Sequence, residues 1–505
     1  MKKHLAFFLA MLMLLGLLCG CKGATGKNTS AGMKDNSITV GIAQDLDNSL
    51  DPYKMTAAGT REVMFNIFEG LVKPDKDGNF VCAVASDYSV SSDGLVYTFI
   101  LRNGVVFHNG AKVTAEDVMY SFKTCASTSV TAALVEALSA VDAYEVTATQ
   151  FSIVLKEPNP DFLSYVCNVS IVPKDYHDQD TAPVGTGPFK FQSRRVLDNF
   201  VIVRNDDYYG QKAHLSKVTY RILEDNTALF TALNSGSLDL VAHLTIDQTK
   251  NLTNGYRVAE GTMNLVQAIY LNHDVKPFDD VRVRQALCYA VDVDAMLKLT
   301  SGGHGTPVGS SMYPAFGKYF DESLANAYPH DIAKAKQLLA EAGYPNGFSF
   351  TIKVPSNYQP HVDCATVLVE QLKAAGIDAK IQLVDWSTWL SDVYKGRNFE
   401  ATITGFDSST LNASGMLARW ETGNGKNMIN YSNADYDAAY RAARATADDA
   451  QQTQYYKQCL AILSQDAANV YLQDLVDFVA THPKLKGYEF YPLYVMDMSL
   501  LYWDK

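Results

Sequence analysis

Apolar and polar positions follow two periods along this chain, and the first run obeys neither. From Leu5 to Leu18 almost every position is apolar. The stretch "KGATGKNTSAGMKDN" (22–36) is small and polar without a period, as a flexible tether is. At 37–43, "SITVGIA" alternates with period two and predicts a strand. Val63, Met64, Ile67, Phe68 and Leu71 then share one helical face, ended by Gly70 and Pro74. "ASDYSVSSDGLVYTFILRNGVVF" predicts hairpins, with Asp93-Gly94 and Asn103-Gly104 as turns that tolerate positive φ. Thr114 is placed to cap a helix, with Glu116 and Asp117 near its positive dipole end. "VTYRILEDNTALFTALNSGSLDLV" (218–241) predicts strand, helix, Gly236, strand. "CATVLVEQLKAAGIDAKIQLVDW" (364–386) predicts a helix ending at Gly376 and a following strand, and Asp435 to Leu475 two or more amphipathic helices. Alternation of this kind in both halves gives a mixed α/β class.

The first apolar run is about 14 residues, short of the ~20 a spanning helix needs. It follows Lys2, Lys3 and His4 and ends in small or sulfur residues, the order of a secretory signal. "LCGC" (18–21) resembles a bacterial lipoprotein signal, which implies cleavage after residue 20 and lipidation of Cys21. An ordinary cleaved signal with an incidental cysteine is the alternative. Acyl chains hold a protein at about 0.8 kcal/mol per buried CH₂, so two or more chains are needed for stable anchoring.

Composition narrows the classes. The chain has 505 residues, which exceeds one core and predicts two or three domains. A hydrophobic share of 47% with 19% charged residues is globular. A formal charge of −12 repels phosphate backbones, so nucleic acid is not an expected partner. Of 8 cysteines, the six beyond the anchor are far apart without a CxxC, and mostly free thiols are expected. The 10 histidines lack metal-ligand spacing, and no GxSxG, HExxH or EF-hand loop occurs, so no metal, cofactor or catalytic residue is expected.

Five stretches in order carry a resemblance: "FEGLV" (68–72), "YTFILRNGVVFHNGAKVTAEDVMYSF" (97–122), "VGTGPFKF" (184–191), "KPFDDVRVRQALCYAVD" (276–292) and "AKAKQLLAEAGYPNGF" (333–348). Together they resemble the family 5 extracellular solute-binding proteins, the oligopeptide and dipeptide receptors of ABC importers. The resemblance implies a two-lobed α/β, periplasmic-binding-protein-like fold of type II, with an extra subdomain in the first lobe. The implied boundaries are 37–72, 181–270 and 479–505 for lobe I, 73–180 for the subdomain and 271–478 for lobe II. Hinge crossings are expected near 270–274 and 477–483. The implied partners are a small-molecule ligand of peptide type and ABC permease subunits, with the membrane reached through the lipid anchor alone and the receptor a monomer.

Site residues follow from the same resemblance. In peptide-binding members a second-lobe loop carries Gly, an aromatic residue and then an aspartate that pairs with the peptide amine. The matching stretch is "TGFDSSTLNASG" (404–415). Phe406 takes the aromatic place, Ser409 stands where the aspartate is expected, and Asp407 lies two residues earlier. Asp407 either takes over the amine or caps a turn. The loop "KMTAAG" (54–59) matches the segment along the ligand backbone, with Thr56, Ala57 and Ala58 permitting close approach. Trp386 and Trp389 are candidate walls or core residues, and Arg419, followed by Trp420, a candidate carboxylate clamp or surface ion pair. Ser409 and Asn412 in place of acidic residues leave room for another cargo: a nickel complex, haem, an opine or a sugar. A secreted hydrolase and a surface adhesin are the readings from other classes. Arg282 and Arg284, near a helix start, should find carboxylates such as Asp279 or Asp280.

Overall fold

The computed structural model describes residues 36–504 apart from 160, 357, 409–411 and 447. The expected signal, the tether up to residue 35, Cys21 and Ser409 lie outside the described residues.

The chain opens with β1 (Ser37–Ile42), whose alternating pattern puts Ile38 and Val40 in the core. A four-stranded antiparallel sheet follows: β2 (Ala85–Val90), β3 (Val96–Leu101), β4 (Val141–Val146) and β5 (Gln150–Leu155), in the order β2-β3-β5-β4. Gly94, at φ 71°, turns the β2–β3 hairpin; Gly104, at φ 81°, turns the chain out of the sheet after β3 rather than forming the expected second hairpin. The helix Ala115–Thr128 covers it, capped reciprocally by Thr114 and Asp117.

The chain then returns to the first sheet with β6 (Phe189–Arg195), β7 (Asn199–Arg204), β8 (Lys217–Ile222), β9 (Leu240–Leu244) and β10 (Arg257–Thr262). The second sheet is built from β11 (Leu265–Leu271), β12 (Thr306–Pro307), β13 (Ser349–Pro355), β14 (Asp378–Val384), β15 (Ala401–Asp407) and β16 (Asn469–Asp474). Finally β17 (Val476–Thr481) rejoins the first sheet. The first sheet reads β10-β17-β9-β1-β8-β7-β6 and the second β12-β16-β11-β15-β13-β14. Two mixed sheets with helices define two α/β lobes.

β11 is buried at every position because helices and loops cover both faces of its sheet. Val266, Ala268 and Tyr270 face one core with Phe406, while Ile269 and Leu271 face another with Ile352 and Ile403.

Several expectations need correction. The lobes exchange the chain at Met263-Asn264 and at Leu475, earlier than 270–274 and 477–483. All of β11 therefore belongs to the second lobe, and Val476–Phe478 to the first. Both crossings run strand into strand without Gly or Pro, so periodicity does not mark them. The local device is Asn264 at φ 56°, whose amide donates to the carbonyl of Tyr491 at 2.7 Å. Residues 469–474, expected in a helix, form β16, buried on both faces. The first helix ends at Met64, and Ile67, Phe68 and Leu71 are buried from turns. Gly185 and Gly187 serve close approach: an added Cβ would lie 2.2 Å and 2.6 Å from the carbonyl oxygens of Ile67 and Asn66.

Arg282 pairs with Asp280, whereas Arg284 donates to the carbonyls of Phe278 and Asp466 and forms no ion pair among the described residues. The six described cysteines are unbridged. Among the described residues no helix is long and apolar enough to cross a membrane.

Candidate functional site

An aromatic cluster of the second lobe gathers where β15 ends. Phe406, eight per cent exposed, packs edge-on to Tyr270 at 4.9 Å, and Tyr270 stacks on Trp420 at 5.9 Å. The Arg419 guanidinium lies 4.1 Å from the centre of the Phe406 ring, close enough for a cation–π contact. Its Nη1 reaches the Tyr394 hydroxyl at 3.4 Å. Tyr394 continues a row of rings: it stacks on Trp389, which stacks on Trp386 at 5.0 Å, which meets Tyr358 edge-on at 5.3 Å.

Asp407 occupies the opposite face, since successive strand side chains alternate. It is half-buried, and among the described residues no side-chain hydrogen bond or ion pair engages its carboxylate. Its charge reaches two phenols. Burial and then Asp407 raise Tyr313, and Tyr494 of the first lobe is raised by burial, by Glu62 and Asp477, and further by Asp407. Tyr313 also accepts the Ser408 amide at 3.3 Å. Asp407 is therefore an open carboxylate between two lobes.

Opposite it, beside the Leu475 crossing, the first lobe holds a satisfied charge. His243, at φ 60°, has Nδ1 3.0 Å from Asp477 and Nε2 3.2 Å from Glu62 and 2.8 Å from the Tyr494 hydroxyl. Burial alone would lower its pKa, but Asp477 and Glu62 hold the imidazole well above its ordinary value and so charged.

The second lobe also touches the subdomain of the first. Asn412 donates to the Ser164 hydroxyl at 2.8 Å and accepts from Tyr165 at 3.4 Å. Tyr456 donates to Asp161 at 3.1 Å, and Arg444 pairs with Glu136 at 2.9 Å. Desolvation pushes the Asp161 carboxyl up to about 6, against the lowering effect of Tyr456.

Two α/β lobes that meet beside an aromatic cluster and a carboxylate suit a receptor, and one match decides the family. Residues 79–428 match the bacterial extracellular solute-binding proteins, family 5. The chain belongs to that family. It is similar to the oligopeptide-binding protein AppA of Bacillus subtilis, 26% identical over 97% of each chain. It is also similar to the glutathione-binding protein GsiB of Pectobacterium atrosepticum, 29% identical over 91% of this chain and 92% of the other. Among solved structures, the periplasmic binding protein DppA of Helicobacter pylori, in complex with the peptide STSA, superposes with a TM-score of 0.81. It is 26% identical, over 93% of this chain and 98% of that one.

Within this family 5 protein the expected site residues scatter in their environments. Trp389, a candidate wall or core residue, and Trp420, a candidate contact, are core residues, 2% and 1% exposed, and Trp389 Nε1 is spent on the Thr402 hydroxyl at 3.0 Å. Neither indole offers an open face. Trp386 is half-buried. Phe406, Asp407, Arg419 and half-buried Trp386 remain in or beside the cluster. The loop at 54–59 has its amides occupied: Asp47 accepts from Thr56 N at 2.6 Å and from Ala57 N at 3.0 Å. Ala58 begins the helix Ala58–Met64. Asn412 is consumed by the Gly415 amide and the interlobe bridge. Sequence reading missed Tyr313, Tyr394, Tyr494, His243 and Lys426, because no local spacing distinguishes them from core tyrosines and surface cations. A cavity of about 390 Å³ on the second lobe, lined by Lys353, Arg397 and Glu400, is not a rival: Lys353 already pairs with Asp392 and Glu400 accepts from Thr351. No cluster with metal-ligand character occurs among the described residues.

Proposed function

We propose that this family 5 protein is a lipid-anchored receptor that captures a peptide-like solute between its lobes and presents it to an ABC permease. The observation that carries the reading is the open Asp407 carboxylate beside Phe406, opposite Tyr494 of the other lobe. A carboxylate without a side-chain partner among the described residues, between two lobes joined by two strand crossings, suits an ammonium group that arrives with the ligand. The solute then touches both lobes in the closed state and biases it. Moving the ratio from 1:99 to 99:1 needs about 5.5 kcal/mol of differential binding. Charge-assisted hydrogen bonds and aromatic burial are of that order. The lipid on Cys21 keeps the receptor beside its transporter and raises its effective concentration there.

A second reading, the same fold with a non-peptide cargo, is favoured by Ser409 in the place of an aspartate. Mass spectrometry of the solute released on denaturing the purified protein separates the two. A peptide ladder supports the first reading, and a metal chelate, tetrapyrrole or sugar replaces it with the second. Asp407→Asn tests the anchor: we expect about tenfold weaker binding of a free-amine peptide and unchanged binding of its N-acetyl form. Equal affinity of wild type and variant for the free amine removes Asp407 from the site.

A further inference from the structure

The first described residue, Asn36, sits on a surface whose charge is opposite to the −12 of the whole protein. Its carbonyl accepts the Ser216 amide at 2.7 Å, and its side chain donates to the His214 carbonyl. Ser37 then pairs with Lys217, and the Ser37 carbonyl accepts the Trp503 indole N–H at 3.2 Å. Trp503 belongs to a two-stranded sheet, β18 (Leu485–Lys486) with β19 (Tyr502–Trp503), in which Lys486 stands directly opposite Tyr502. Alternation turns Leu485 into the core and puts Lys484, Lys486 and Tyr502 on the outer side. Tyr502 is 44% exposed and meets the His214 ring edge-on at 5.7 Å, and Leu500, two residues before it, is 37% exposed. Exposed Arg257, at the start of β10, donates to the Leu485 carbonyl at 3.1 Å.

Lys217, Arg257, Lys484 and Lys486 make no ion pair among the described residues. Acids of the same end of the lobe are engaged elsewhere: Asp206 with Arg204, Asp207 with Lys190, and Asp239 with the Thr39 amide. Asp504, beside Lys484, stands in opposition. Unpaired cations around an exposed phenol and an aliphatic side chain are the mixture that settles at the headgroup level of an anionic bilayer. The cations meet phosphate, and the amphipathic ring sits at the boundary.

The tether ends at this surface. Residues 22–36 add Lys22, Lys27 and Lys34 against Asp35, and a flexible chain of that length spans about 20 Å. A lipid on Cys21 therefore brings this face close to the bilayer. The lobe junction lies at the other end of the same strands: Arg257 pairs with Thr481 here, and Thr262 with Val476 beside the crossing, about 17 Å away along β17.

We propose that this end of the first lobe is a membrane-resting surface. Lys217, Arg257, Lys484 and Lys486 meet anionic phospholipid headgroups, and the receptor waits for solute with its lobe junction turned away from the bilayer. The inference rests on the lipid-anchor reading above and is independent of the solute's identity.

The test uses the mature protein purified from membranes, with mass spectrometry reading the state of Cys21. It is placed on vesicles of phosphatidylcholine alone or with about one third phosphatidylglycerol, and lysine acetylation is followed by mass spectrometry. On the anionic vesicles Lys217, Lys484 and Lys486 should react about fivefold more slowly than on the neutral ones. Lys123 and Lys336, exposed elsewhere, should not change, and high salt should remove the difference. Lys484→Glu with Lys486→Glu should abolish the slowing at Lys217, and the paired Gln variants should weaken it. Equal rates on both vesicles with Cys21 lipidated overturn the surface and leave the anchor standing. Slowing on the source membranes but not on the anionic vesicles assigns the face to a membrane protein and overturns the lipid contact. If Cys21 carries no lipid, the same chain is sedimented with each vesicle. Retention by the anionic vesicles alone, lost in the double Glu variant, keeps the surface and removes the anchor. Retention by neither overturns both.

Discussion

His243 and Lys426 are both cations at the lobe junction, one on each side, and the protein treats them in opposite ways. His243 is held between Asp477 and Glu62 with a phenol stacked on its ring at 5.0 Å. Lys426 feels Arg419 more than the distant Glu136 and makes no ion pair among the described residues. A charge with a full set of partners fixes geometry, here the backbone turn at His243 next to a crossing. A charge without partners costs stability.

Breaking the satisfied side should have the larger effect. Asp477→Ala leaves His243 and Glu62 with an incomplete network, and we expect a loss of about 3 kcal/mol in urea unfolding. Lys426→Met should do the reverse, leaving stability unchanged or raising it by about 1 kcal/mol after allowance for solvent screening. A loss of the Asp477→Ala size in Lys426→Met would show a structural ion pair and erase the contrast.

pH sharpens it further. His243 binds its proton more tightly folded than unfolded, so its contribution is complete below about pH 6.5. It is lost as pH rises through the elevated folded value. Lys426 binds its proton less tightly when folded. Its penalty is present below pH 8 and is relieved as pH rises toward the unfolded value of about 10.4. Subtracting the unfolding free energies of Lys426→Met from those of wild type should give a difference that rises between pH 8 and pH 10. A flat difference would deny the unpaired cation.

The smallest expected effect is at the outer clasp. Asp161 takes up a proton more readily where the lobes touch, with its carboxyl near 6, so closure should strengthen as pH falls from 6 to 5. Tyr456, Lys318, Asp449 and Arg444 face it. Asp161→Asn should remove about a fivefold pH dependence of ligand affinity in that window. An identical pH profile in the variant would show that this contact does not take part in closure.

Much of the architecture was legible because it is periodic. β1, the hairpin at Gly94, the Thr114 cap and the helix–strand unit at 364–384 each follow from local chemistry. The crossings at Asn264 and Leu475 were displaced in the reading because a strand that changes sheets keeps its period. Residues 469–474 read as helix because a strand buried on both faces has no alternation to show. Of the candidate residues, Phe406, Asp407 and Arg419 come from one segment and stand at the end of one strand and in the turn of helix after it; their part in binding is the proposal that the variants test. Lys426 became visible only with the fold, since its meaning lies in the partners it lacks.

The most direct test of two lobes that shut over a solute is small-angle scattering. Protein stripped of its solute by unfolding and refolding is measured alone and with the released solute restored to saturation. The account predicts a smaller radius of gyration with the solute bound. Superimposable curves at saturation would contradict it.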